Sequence, residues 1–107
     1  MRLAFLGMGV GVSLGLVMLG PGARAGSLAT LDPWARDCFA TQSRRACEQA
    51  LLQSEALQQR AANRDRYPCQ SMVLGLQADV VMVQLRQGRG ARALETLAAV
   101  RQRCSGL

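Results

Sequence analysis

The chain has 107 residues, enough for one small domain; half of it is hydrophobic but only 4% is aromatic. Its 13 basic residues are all Arg, set against 7 acids, with no His and no Lys. Without those two side chains the commonest general base and the usual amine nucleophile are missing, and most acid–base and Schiff-base enzymes are excluded.

Residues 1–25 read as a targeting segment. Arg2 gives a positive start and Leu3 to Leu19 carries no charge. Gly20-Pro21-Gly22 breaks a helix, and Ala23-Arg24-Ala25 before Gly26 is a small-x-small cleavage pattern. The competing reading is an uncleaved membrane anchor, since the apolar run approaches the ~20 residues a span needs. The Pro-Gly break followed by Ala-x-Ala favours a signal peptide cut after Ala25, with export of residues 26–107 to a periplasm or the outside medium.

A domain of that size buries only about 60% of the surface its unfolded chain exposes. It has only Trp34, Phe39 and Tyr67 as aromatics, so its core must come from Leu, Val, Ala and Met. Cys38, Cys47, Cys69 and Cys104 all lie in the mature part. An even count behind a signal peptide reads as two disulfides formed in an oxidising compartment. A zinc site is the weaker alternative, because there is neither His nor a C-x-x-C pair. Neither a metal nor a cofactor is expected. A redox-active thiol pair is disfavoured on the same spacing.

In chain order, Gly26 to Leu31 shows no pattern and reads as a short leader. Asp32-Pro33 looks like a helix start, with Asp as N-cap and Pro at the first helical position, and predicts a brief helix to about Ala40. Ser43 caps a second helix from about Arg44 to Ala62. Its buried face is Cys47, Ala50, Leu51, Ser54, Leu57 and Ala61, with Gln49, Gln53, Gln59 and Arg60 on the wet side.

A third helix is predicted from Pro68 to about Gln87, closed by Gly88 in the left-handed conformation. One apolar face holds Cys69, Met72, Val73, Leu76, Val80 and Val83. A second holds Leu74, Ala78, Val81 and Leu85, while Gln70, Gln77 and Gln84 form a polar stripe. A helix apolar on two sides is either sandwiched by neighbours or offers one side to a partner. The fourth helix runs from about Ala91 to Arg103 on Ala93, Leu97, Val100 and Cys104. Ser105 to Leu107 reads as frayed. The fold class is therefore all-α: a small helical-hairpin bundle of one short and three longer helices, stapled by two disulfides.

The helix order sorts the cysteines. Short loops make neighbouring helices antiparallel, so Cys38 faces Cys47 across the first turn, and a hairpin at Gly88–Gly90 brings Cys69 to Cys104. The second pairing leaves an offset of about 7 Å between unequal arms at 1.5 Å per residue. Cys47–Cys69 would span about 30 Å of helix, far beyond the roughly 7 Å a disulfide tolerates between Cα atoms.

The remaining polar groups are arginines. Arg44 and Arg45 open a helix, where they oppose its dipole, and Arg64 and Arg66 share the second loop. They read as solvated surface or as contacts for an acidic partner, an acidic ligand or an anionic membrane face. Nucleic acid is not expected for an exported domain. No paired carboxylates and no phosphate-binding loop appear, so no catalytic residue is assigned and enzyme activity is not expected.

The third and fourth helices, over about residues 70–103, resemble a tetratricopeptide-type helical hairpin. Gly88 stands at the turn, and Ala93, Leu97 and Val100 have the spacing of that repeat's second helix. The first helix of the pair departs from the pattern, with Gln77, Val80, Val81 and Gln84 where the family prefers a large aromatic, Leu, Gly and Tyr. No second copy at that period is present. The resemblance implies a scaffold that binds proteins or peptides without catalysis. Leu74, Ala78, Val81 and Leu85 are the expected face for self-association or a protein partner; the competing reading is that the first or second helix covers them.

Overall fold

In the computed structural model, residues 26–87 and 90–107 are described. Residues 1–25, where the targeting segment is expected, and Gly88 and Arg89 lie outside them. Four helices follow in order: α1 (Leu28–Thr41), α2 (Arg44–Asn63), α3 (Tyr67–Gln84) and α4 (Gly90–Arg103). Among the described residues there is no strand.

The first helix begins a full turn earlier than Asp32-Pro33 suggests. Ser27 is its N-cap and accepts from the Thr30 amide at 3.2 Å, so Pro33 lies inside the helix. The expected leader is thus cap and first turn. Its cause is burial: Leu31, one turn into the helix, is fully buried, which outweighs the backbone bond that Pro33 cannot make to Ala29. Asp32 is released from capping. Its carboxylate pairs with Arg36 at 2.8 Å and lies 3.8 Å from Arg101 of α4. At 14 residues α1 equals α4 in length, against 20 for α2 and 18 for α3.

Ser43 caps α2 as expected, accepting from the Ala46 amide at 3.3 Å. The α2 face of Cys47, Ala50, Ser54, Leu57 and Ala61 is buried, joined by Ala46, with Leu51 half-buried. Ser54 is tolerated there because its hydroxyl donates to the Leu51 carbonyl at 2.8 Å. Three expectations for the wet side fail: Gln49, Gln53 and Arg60 are half-buried, and Gln53 Oε1 accepts from the Gly26 amide at 2.7 Å, just ahead of the added turn of α1.

The third helix ends three residues early. Leu85 is its C-cap and Arg86 takes the left-handed position at φ 58°. The Arg86 amide bonds to Val83 O and the Gln87 amide to Met82 O, both at 2.9 Å. Those two bonds form a Schellman closure, here with Arg where glycine was expected at position 88. The early stop equalises the hairpin arms, with 15 residues from Cys69 to Gln84 and 14 from Gly90 to Cys104. The offset expected from a helix running to Gln87 therefore does not arise.

Both disulfides are as derived: Cys38–Cys47 with Cα atoms 4.6 Å apart, and Cys69–Cys104 at 4.8 Å. α3 lies between α2 and α4, which do not touch each other, and α1 packs against all three. The core is aliphatic, with Leu31, Leu57, Leu76, Leu97, Val73, Val80 and Val100 fully buried. The chain end is not frayed. Gly106 adopts φ +88°, the Leu107 amide bonds to Cys104 O at 3.0 Å, and the Leu107 side chain is buried. An apolar last residue with core to reach folds back onto it.

Candidate functional site

α3 carries two apolar rows on opposite sides. Cys69, Val73, Leu76, Val80 and Val83 are buried. Leu74, Ala78, Val81 and Leu85 are spaced by four, three and four residues, which on a 3.6-residue helix places them together on the far side. All four are exposed, Leu74 by 48%, Val81 by 42% and Leu85 by 62%, so neither α1 nor α2 covers them. Core packing accounts for one row only.

The structure adds one residue to this face that sequence reasoning did not place there, and one at its edge. Tyr67 opens α3 rather than closing the preceding loop; it is exposed, and its hydroxyl donates to Asp65 Oδ1 at 3.0 Å. It stands one heptad before Leu74, which was the available signal. Gly75 sits beside Leu74 in mid-helix and is exposed, and a Cβ added to it would meet nothing within 4 Å. A glycine there weakens the helix by about 0.5–1 kcal/mol relative to Ala, and no packing among the described residues requires it.

The four arginines of interest divide into two pairs at opposite ends of α2, roughly 30 Å apart at 1.5 Å per residue. Each of three has an internal task. Arg44 pairs with Glu48 one turn on at 3.4 Å. The Arg45 guanidinium lies 5.9 Å from the centre of the half-buried Trp34 ring, tying α2 to α1. Arg66 Nη2 donates to Arg103 O at 2.7 Å and to Ser105 O at 3.2 Å. It thereby satisfies carbonyls left open at the end of α4, beside the Cys69–Cys104 bridge. Arg64 is exposed and closes α2 through its backbone amide.

Near the first turn, Gln42, Arg44, Cys47, Val83, Gln84 and Arg86 line a pocket of about 290 Å³. Arg86 Nη1 donates to Gln42 Oε1 at 3.0 Å across it. With Arg44 turned to Glu48, both guanidinium groups of this pocket have partners within the chain. Among the described residues no group of three or more metal-ligating side chains comes together, and no helix is long and apolar enough to cross a membrane.

In comparisons with known proteins, no family model, no curated protein and no solved structure is significantly similar to this chain. What stands is a small all-α, disulfide-bonded protein with an uncovered aliphatic row on its central helix.

Proposed function

We propose that this is an exported, non-catalytic interaction module that binds a protein through the outer face of α3. The observation that carries the reading is the row Leu74, Ala78, Val81 and Leu85, solvent-exposed at the spacing two packed helices use. A partner helix laid along it would meet large side chains at both ends and the small Ala78 in the middle. Gly75 allows that helix a close approach. The α3–α4 pair, read as a tetratricopeptide-type hairpin, serves as the scaffold that holds this face rigid.

The patch is on the order of a few hundred Å². A stable interface needs about 800 Å² per partner, so a second copy using this face alone associates weakly, while a larger protein partner adds contacts beyond it. The two arginine pairs, distant from each other and largely engaged, support an anionic membrane reading less well. The test is capture from the exported fraction with the disulfide-intact protein as bait, beside light scattering at rising concentration. A partner retained by the wild type and lost from Val81→Glu is the expected result. A strict monomer that retains nothing overturns the proposal, and salt-sensitive binding to anionic vesicles would replace it.

A further inference from the structure

Gly26 is the residue that cleavage after Ala25 leaves first, and the fold holds it as a fitted part. Its nitrogen donates to Gln53 Oε1 of α2 at 2.7 Å. A Cβ added to Gly26 would fall 2.4 Å from Ala56 Cβ, 3.1 Å from Ala56 C and 3.3 Å from its Cα. The methyl contact is too short to stand, the two backbone atoms of α2 are tight, and Gly26 has φ +78°, so a side chain at this position must shift the start of the domain against α2. Gln53 and Ala56, three residues apart, share one face of that helix. Ser27 follows at once, buried and capping α1. The small-x-small pattern that marks the cut lies wholly before the bond, and nothing in it calls for glycine after the bond or for a matched Ala on another helix.

We propose that Gln53 and Ala56 form a seat on α2 for the processed end of this chain, the α-ammonium group of Gly26. The proposal rests on the export reading. Hydrolysis of the Ala25–Gly26 bond consumes one water: the acyl carbon keeps the oxygen as a carboxylate, and the glycine nitrogen becomes an ammonium group at neutral pH. That nitrogen is already the donor to Gln53 Oε1, and the bond becomes charge-assisted, hence shorter and stronger. Order of events follows. A peptidase needs extended, reachable backbone across the bond, whereas in the folded domain Gly26 lies on Ala56 and Leu28 is already helical. Cleavage therefore precedes the docking of α1 on α2.

The experiment uses the full chain with its own leader, read by intact mass and by thermal melting of the exported product. Gly26→Ala is made alone and on an Ala56→Gly background, which removes the opposing methyl. The expected product begins at Gly26. Gly26→Ala is expected to lower Tm by about 5 °C or more in the parent and by clearly less on Ala56→Gly, where the methyl contact is gone and the two tight backbone contacts remain. Recovery of the double variant where Gly26→Ala alone is lost to degradation supports the seat equally. A product that begins at Gly26, yet melts the same with Ala at position 26 or loses as much on both backgrounds, overturns the seat and leaves cleavage standing. The seat falls likewise if Ala56→Gly is recovered and the double variant is not. A product beginning elsewhere removes the export reading and the seat with it.

Discussion

Gln42, Asp65 and Arg86 close α1, α2 and α3, and each has a positive φ, of 57°, 54° and 58°. A side chain in that conformation costs roughly 1–2 kcal/mol, which glycine avoids at the expense of greater freedom in the unfolded chain. The balance favours glycine where the side chain does little. Arg86 gives up only an exposed bond to Gln42, so Arg86→Gly is expected to stabilise by about 0.5 kcal/mol, read as a higher denaturant midpoint at unchanged slope. In the interior the sign reverses. Leu57 is fully buried on α2, and Leu57→Ala is expected to cost about 2–5 kcal/mol by equilibrium unfolding. That loss approaches the whole stability of a domain this small.

The misplaced start of α1 traces to a tertiary contact. Asp32-Pro33 has the form of a helix start, but burial of Leu31 draws the chain into helix a turn earlier and leaves Pro33 exposed in the interior. Pro33→Ala restores the bond to Ala29 and is expected to raise stability by about 1–2 kcal/mol, since the helix gain of about 3 exceeds the lost rigidity of the unfolded chain. A destabilised variant would show instead that Pro33 marks a true start. The outer row of α3 gives the opposite case, in which stability is indifferent and association responds. Leu85→Glu is expected to leave the melting temperature unchanged, because Leu85 is 62% exposed, and to abolish retention of the partner. A large drop in Tm with binding intact would place Leu85 in the fold rather than in an interface.

The two disulfides tie the molecule at different ranges. Cys38–Cys47 closes a separation of 9 residues within one hairpin, and Cys69–Cys104 closes 35 and joins the start of α3 to the end of α4. In the chain-entropy account the first contributes about 2.5–3 kcal/mol and the second about 4. Replacing both cysteines of each pair by Ala is therefore expected to destabilise more for the Cys69/Cys104 pair, by about 1 kcal/mol. Denaturant melts of the two variants decide it. Arg66 binds the carbonyls of Arg103 and Ser105 beside the longer bridge, so the end of α4 stays partly held when that bridge is lost.

Residue order alone determined the all-α class, the register of the buried rows and the disulfide pairing. Periodicity at 3.6 residues depends only on which residues recur, and two cysteines near one turn of an antiparallel hairpin have no other partner within reach. Tertiary structure decided the start of α1. Ser27 or Asp32 could cap it, and burial of Leu31 selects Ser27, whereas α3 closes at Arg86 rather than Gly88 through two local backbone bonds. It also decided the standing of the second row on α3. Leu74, Ala78, Val81 and Leu85 have the same pattern whether buried or bare. Their exposure depends on where α1 packs, against α2, α3 and α4 without crossing that row, and such placement of a whole helix is a property of the assembled core.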